Sequence, residues 1–124
     1  MKKLLTSTFA LIITVSLSAQ VQSGKVRTAG SPDKHGEPLS GVIVTMRGGT
    51  NSALTDGNGR FEVPMRGVAE GDAISLERVS KNNYVLLDED ILYTEYPFSQ
   101  SVPLEIVMKS VEEIRKEREE IIQR

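Results

Sequence analysis

The sequence contains no cysteine, and His35 is its single histidine. Without cysteine the chain forms no disulfides, and it lacks the residue that carries a lipoprotein's lipid anchor. One histidine supplies neither a multi-histidine metal site nor a catalytic relay that needs a second histidine. We therefore expect no metal or other cofactor, and a small domain that is held together by its hydrophobic core alone.

Positive charge is also scarce, because 15 lysines and arginines face 17 aspartates and glutamates, for a net charge of −2. No basic stripe is present that could follow a nucleic-acid backbone, so no nucleic-acid partner is expected. The longest apolar run, Phe9 to Leu17, is shorter than the roughly 20 residues that a membrane-spanning helix requires. We therefore expect no membrane span in the mature protein.

The N-terminus has the three parts of a secretory signal peptide. Lys2 and Lys3 form the positive start, Phe9 to Leu17 forms the apolar segment, and Ser18 and Ala19 are small residues suited to cleavage. The sequence predicts that residues 1–19 are removed. The mature chain is then exported to the periplasm or to the outer membrane and cell envelope.

Between Gly24 and Lys109 apolar residues alternate with polar ones, and turn residues interrupt the pattern about every eight to twelve positions. A period of two is typical of strands with one buried face. The pattern predicts an all-β sandwich or barrel over residues 20–109. The residues predicted to face the core are Val42, Val44, Met46, Phe61, Val63, Met65, Ile74, Leu76, Val102, Leu104, Ile106 and Met108.

Two turn signals divide this pattern. Asp56 to Gly59 reads Asp-Gly-Asn-Gly, and glycine and asparagine tolerate the positive φ angles of tight turns. We therefore predict a β-hairpin that joins Ala53–Thr55 to Arg60–Val63. Pro38 lacks an N–H group, so strand pairing is predicted to resume only after Leu39.

The period changes after Lys109, where residues 110–124 are predicted to form a charged amphipathic helix. Ser110 and Glu113 have the spacing of a capping box. The aliphatic residues that fall on one helical face are Val111, Ile114, Ile121 and Ile122, and Arg118 interrupts this face. Because a helix of this length is marginal by itself in water, we predict the start of a further module or a partner-binding tail.

Three motifs resemble the carboxypeptidase regulatory-like domain, a transthyretin-like (prealbumin-like) family. They are Gly24-x-Val26, then Gly36-Glu37-Pro38-Leu39-x-Gly41-Val42-x-Val44, then Thr55-Asp56-x-x-Gly59-x-Phe61. The resemblance implies a single Greek-key β-sandwich of about seven strands, of the kind found in exported proteins of Bacteroidetes-type bacteria. It also implies a non-catalytic domain that precedes another module. Lys81 to Tyr84 replaces the usual Gly-Tyr strand of the family, and Val85 to Gln100 is similar to an insertion.

The aromatic residues are concentrated in one stretch, Tyr84 to Phe98. Aromatic side chains with polar groups are enriched at interfaces and in binding grooves. Tyr93, Tyr96 and Phe98 are therefore the candidate interface residues, whereas Tyr84 is better explained as closing the open end of the sandwich. The alternative for all of them is a structural role that braces a long loop.

No group of residues has the pattern of an active site. Asp88 to Asp90 are consecutive carboxylates, which point in different directions and are typical of a solvated loop. The segment from Asp56 to Glu62 matches a calcium loop at too few positions. No serine has the Gly-x-Ser-x-Gly context of a nucleophile. We predict that the chain is not an enzyme, and a hydrolase or metalloenzyme is the remote alternative.

The sequence thus predicts a non-catalytic accessory or protein-interaction module of an exported cell-envelope protein. Its expected partner is another protein or a downstream module of the same polypeptide. The alternative function is a glycan- or peptide-binding module that uses the aromatic stretch from Tyr84 to Phe98.

Overall fold

A computed structural model describes residues 20–30, 36–49 and 51–123. The predicted signal peptide, residues 1–19, and the loop histidine His35 lie outside the described residues. In chain order the strands are β1 (Gln20–Thr28), β2 (Ile43–Met46), β3 (Ala53–Leu54), β4 (Arg60–Met65), β5 (Ala73–Ser80), β6 (Tyr84–Leu86), β7 (Glu95–Pro97) and β8 (Leu104–Ser110). A 3-10 helix (Glu89–Tyr93) lies between β6 and β7, and α1 (Val111–Gln123) follows β8.

The strands form two four-stranded sheets. The first has the order β4-β1-β8-β6 and the second has the order β3-β2-β5-β7. Strands β1 and β8 run parallel, and the other strand pairs of the described chain are antiparallel. The predicted all-β, sandwich-like architecture is therefore confirmed, with eight strands in place of about seven.

Alternation along the strands builds one core between the sheets. Its buried hydrophobic residues are Val26, Leu39, Val42, Val44, Met46, Phe61, Val63, Met65, Ile74, Leu76, Phe98, Ile106 and Met108. Of the residues predicted to face inward, Leu104 is half-buried and Val102 is 64% exposed. The prediction for Val102 is wrong because β8 begins only at Leu104, so Val102 lies in the loop before that strand. There its carbonyl oxygen accepts a hydrogen bond from the side-chain amide of Gln22 in β1 (3.3 Å).

The turn from Asp56 to Gly59 forms, but the predicted hairpin does not. Strand β3 pairs with β2 in the second sheet, whereas β4 pairs with β1 in the first. The Asp56 carboxylate accepts hydrogen bonds from the backbone N–H groups of Asn58 and Arg60, at 2.9 and 3.0 Å. This chemistry reverses the chain locally without fixing which sheet the next strand joins, and here the turn passes from one sheet to the other.

Pairing with β1 begins before the position that the sequence predicted. Pro38 stands opposite Arg27 in an antiparallel bridge, and the N–H of Leu39 donates to the carbonyl oxygen of Val26 at 2.9 Å. The prediction that pairing resumes only after Leu39 is wrong. Pro38 occupies a position whose own N–H is not needed, so its missing donor costs nothing there.

One buried polar residue was not indicated by the sequence pattern. Gln22 of β1 is fully buried, and its side-chain amide oxygen accepts a hydrogen bond from the N–H of Ser99 at 3.0 Å. Its amide nitrogen donates to the carbonyl oxygens of Ser23 and Val102. Among the described residues, no buried side-chain nitrogen or oxygen lacks a partner. Gln22 therefore fastens the loop before β8 to the first sheet without an uncompensated polar group.

Helix α1 confirms that the period changes after β8. The side-chain hydroxyl of Ser110 accepts a hydrogen bond from the N–H of Glu113 at 3.1 Å, as expected of an N-cap. Within the described part of the chain, no helix has the length and apolar character needed to cross a membrane.

Candidate functional site

The three candidate interface residues do not form one surface. Tyr93 ends the 3-10 helix and is 83% exposed, whereas Phe98 is 1% exposed and belongs to the core. Tyr96 lies between these extremes: it is half-buried in β7, opposite Ile74 of β5, and packs against the core. Phe98 therefore fills the interior of the sandwich, and only Tyr93 and part of Tyr96 are available to a ligand or partner.

Backbone hydrogen bonds explain why Phe98 points inward. Its N–H donates to the carbonyl oxygen of Asp72 at 2.7 Å, and its carbonyl oxygen accepts from Gly71 at 2.9 Å. These bonds extend the pairing of β7 with β5 beyond the end of the strand. Because alternate residues of an extended chain share a face, Phe98 and Tyr96 both turn toward the core.

Tyr84 packs against the core, which fits the structural role that the sequence favoured for it over an interface role. It is half-buried in β6 and lies under the Lys81 ammonium, which is 5.9 Å from the centre of its ring. The same ammonium donates to the carbonyl oxygen of Ser40 at 2.8 Å. Lys81 thus ties the β5–β6 turn to the loop before β2.

Two of the acidic residues that the sequence singled out, Asp88 and Asp56, bind local backbone N–H groups through their carboxylates. Asp88 caps the 3-10 helix, where its carboxylate accepts from the N–H of Asp90 at 3.0 Å. Asp56 orders its own turn in the same way. Across residues 20–30, 36–49 and 51–123, no cluster of three or more acidic, histidine or cysteine side chains is placed to hold a metal ion.

Helix α1 presents an apolar surface that the sandwich does not cover. Ile114 is half-buried, whereas Val111, Ile121 and Ile122 are 48%, 71% and 82% exposed. The contacts that α1 makes with other described elements run chiefly to β8. The exposed fraction of these aliphatic side chains therefore increases toward the C-terminal end of the helix.

The base of α1 is nevertheless fixed to the sandwich. The N–H of Val111 donates to the carbonyl oxygen of Asn83 at 2.9 Å, in the turn before β6. The Lys109 ammonium contacts the Glu117 carboxylate at 2.6 Å. The helix is thus anchored at its first turns, while its last turns project away from the described domain.

A cationic cleft on the outer face of the first sheet was not found from the sequence. The cleft has a volume of about 280 Å³, and the charged side chains that line it are Lys25, Arg27, Arg60 and Glu105. Gly36, Pro38 and Asn58 form its rim. Lys25 and Arg27 occur at alternate positions of one strand, which was a visible signal. Arg60 belongs to a different strand, and only the pairing of β1 with β4 brings it beside them.

Comparisons with protein families, with curated proteins and with solved structures find no match for this chain. The class of protein is therefore defined by the structure alone. It is an all-β, sandwich-like domain with a projecting C-terminal helix.

Proposed function

We propose that this chain is a non-catalytic protein-interaction module of an exported cell-envelope protein, and that α1 is its partner-facing element. The observation that best supports this proposal is the exposure of aliphatic side chains at the C-terminal end of α1, where Ile121 and Ile122 are 71% and 82% exposed. Full burial of one such side chain against a partner is favourable by about 1.5–3 kcal/mol before the entropic cost of association is subtracted. The partner is another protein or a downstream module of the same polypeptide.

The way in which α1 is attached supports this role. Ser110 caps it, Lys109 pairs with Glu117, and the helix follows β8 without an intervening loop. A partner that binds α1 therefore binds an element whose direction is already set by the first sheet. Because the first turns of α1 are already fixed, only its last turns remain to be ordered when a partner binds, which limits the entropic cost of association.

We further propose that the domain is a transthyretin-like, Greek-key member of the carboxypeptidase regulatory-like family. Contacts between the three motifs of the resemblance support this proposal. A Cβ atom placed on Gly24 would lie 2.1 Å from the tip of the Phe61 ring, so the first and third motifs require each other. The Thr55 hydroxyl donates to the carbonyl oxygen of Leu39 at 2.7 Å, which joins the third motif to the second.

Export is the part of the proposal that rests on the predicted signal peptide, residues 1–19. It is tested by expressing the full chain in a Gram-negative host, fractionating the cells, and sequencing the N-terminus of the protein found outside the cytoplasm. A mature form that begins near Gln20 is expected. An uncleaved protein that stays in the cytoplasm would contradict export while leaving the role of α1 open.

The interaction is tested with matched variants in the protein's native host. A tagged full-length chain is isolated from the envelope fraction as wild type, Ile122→Glu and Val102→Glu. Ile122 and Val102 are both exposed aliphatic residues, at 82% and 64%, but only Ile122 lies on α1. A co-purifying component that is lost with Ile122→Glu and retained with Val102→Glu is expected. Equal retention by both variants would contradict the proposal.

The second candidate function is glycan or peptide binding at the aromatic stretch, which the 83% exposure of Tyr93 favours. Because Phe98 is in the core, such a site would consist of Tyr93 and the exposed part of Tyr96. A glycan array probed with wild type, Tyr93→Ala and Tyr96→Ala tests it. Binding that both substitutions abolish would support this function, and no binding by the wild type would remove it.

A further inference from the structure

The cationic cleft brings three positive side chains together on a chain whose net charge is −2. Lys25 of β1 and Arg60 of β4 are direct cross-strand partners in the antiparallel pair. Arg27 is two residues beyond Lys25, so both side chains leave β1 on the same face. All three residues are exposed and open to small solutes.

This arrangement is unfavourable when the cleft is empty. Like charges placed directly opposite each other on neighbouring strands destabilise a sheet. Glu105 is the register partner of Lys25 on β8. The ion pairs of the described chain are Lys109 with Glu117 and Arg115 with Glu112, so none of the three cations has a described carboxylate within pairing distance. Glu105 offsets part of this positive charge, and the remaining excess of about two positive charges in the cleft is left for a bound anion to offset.

The rim of the cleft is built rigidly. The N–H of Val26 donates to the carbonyl oxygen of Gly59 at 2.7 Å, and a Cβ atom on Gly59 would lie 2.4 Å from the carbonyl oxygen of Val26. Only glycine fits here, and its φ of +73° is also one that glycine adopts readily. The turn that carries Asn58 and Arg60 is thus held tightly against β1.

The wall of the cleft at Gly36 is also packed tightly against β1. A Cβ atom on Gly36 would lie 2.0 Å from the carbonyl oxygen of Thr28 and 2.9 Å from a guanidinium nitrogen of Arg27. The absence of a side chain at Gly36 leaves room for the Arg27 guanidinium at the cleft wall. The two guanidinium groups therefore reach the same cleft from fixed backbone positions.

We propose that this cleft binds a small hydroxylated acid through its carboxylate or phosphate group. Arg27 and Arg60 supply planar donors that suit either oxyanion, and Lys25 adds a point charge between them. Glu105 repels a second negative group and accepts hydrogen bonds from hydroxyls on the β8 side. The volume of about 280 Å³ admits a ligand the size of a monosaccharide. This site is separate from α1 and does not depend on the function proposed for the helix.

The test is an NMR titration of the chain from Gln20 to Arg124 with glucuronate, glucose 6-phosphate and glucose. Glucuronate and glucose 6-phosphate represent the carboxylate and phosphate forms of the ligand, and glucose is the neutral control. We expect saturable shifts of the Lys25, Arg27 and Arg60 amides with at least one acid, at millimolar affinity and weakening with added salt. If neither acid shifts these amides more than glucose does, the proposal is overturned.

Two substitutions make the titration specific. Arg60→Gln is expected to weaken binding about tenfold, which is the effect of losing one charged hydrogen-bonding group. Arg66→Gln is the control, because Arg66 is exposed but does not line the cleft. Equal weakening by both substitutions would show that the acid binds through general charge attraction, and would contradict the proposed site. Thermal unfolding checks that Arg60→Gln still folds, and its midpoint should not fall, since the like-charge pair with Lys25 is removed.

Discussion

The Thr55 hydroxyl donates a hydrogen bond of 2.7 Å to the carbonyl oxygen of Leu39 and accepts one of 2.9 Å from the N–H of Val42. Thr55 is 4% exposed, so both bonds are shielded from water. A single side chain thereby fastens the loop before β2 to the segment after β3.

Thr55→Val is expected to destabilise the chain by about 1–3 kcal/mol, because it leaves a buried N–H and a buried carbonyl without partners. Urea unfolding monitored by circular dichroism measures the change. Thr45→Val is the control, since the Thr45 hydroxyl contacts only the Ser52 hydroxyl at the surface, at 2.7 Å. Equal losses for the two variants would contradict the role given to Thr55.

Gly24→Ala is expected to cost about 1–3 kcal/mol, because the new methyl group would overlap the Phe61 ring. The ring lies directly across from Gly24 in the β1–β4 pair. In the Phe61→Leu background the same substitution should cost clearly less, and a double-mutant cycle from thermal unfolding measures the coupling. Additive losses would show that the two residues do not depend on each other.

Phe98→Ala and Tyr93→Ala should differ sharply in stability. Phe98 fills the core, so its truncation is expected to cost about 3–5 kcal/mol. Tyr93 is mostly exposed, so its truncation should change stability by no more than about 0.5 kcal/mol. Chemical denaturation of both variants decides the matter. A large loss from Tyr93→Ala would mean that the aromatic stretch is structural throughout.

Strand identity and core residues followed from the sequence where alternation was regular. Val42, Val44 and Met46 were predicted to face inward and are buried. The pattern succeeds because burial of one face requires a period of two. It gave no signal for Gln22, since a glutamine in an alternating stretch is expected to face solvent. Its burial is favourable only because its side-chain amide has hydrogen-bond partners at Ser99, Ser23 and Val102.

Strand pairing and the candidate sites were less accessible to prediction. The Asp56–Gly59 turn predicted a hairpin, but local turn chemistry carries no information about which sheet β4 joins. The same long-range pairing of β4 with β1 places Arg60 beside Lys25, so the cationic cleft is invisible to local patterns. Phe98 and Tyr93 are five residues apart in one aromatic stretch, yet they have opposite environments, because Tyr93 ends a 3-10 helix and Phe98 follows the end of β7.

Helix α1 should be the least stable part of the isolated mature chain. Its last turns lack tertiary packing, and a helix of about 12–15 residues is marginal in water without it. We expect amide hydrogens of Ile121 and Ile122 to exchange at least about a hundredfold faster than that of Ile106 in β8. Hydrogen exchange followed by NMR measures these rates. Protection of α1 equal to that of β8 would mean that the helix already has its partner within this chain or in a second copy.

Site-specific photocrosslinking in the native host tests the proposed role of α1 most directly. A benzophenone amino acid replaces Ile122 in one strain and Val102 in another, and the full-length chain is irradiated in intact cells. We expect a discrete crosslink from position 122, to another protein or to a later part of the same polypeptide, and no such crosslink from position 102. No crosslink from position 122, or the same crosslink from both positions, would contradict the claim that α1 is the partner-facing element.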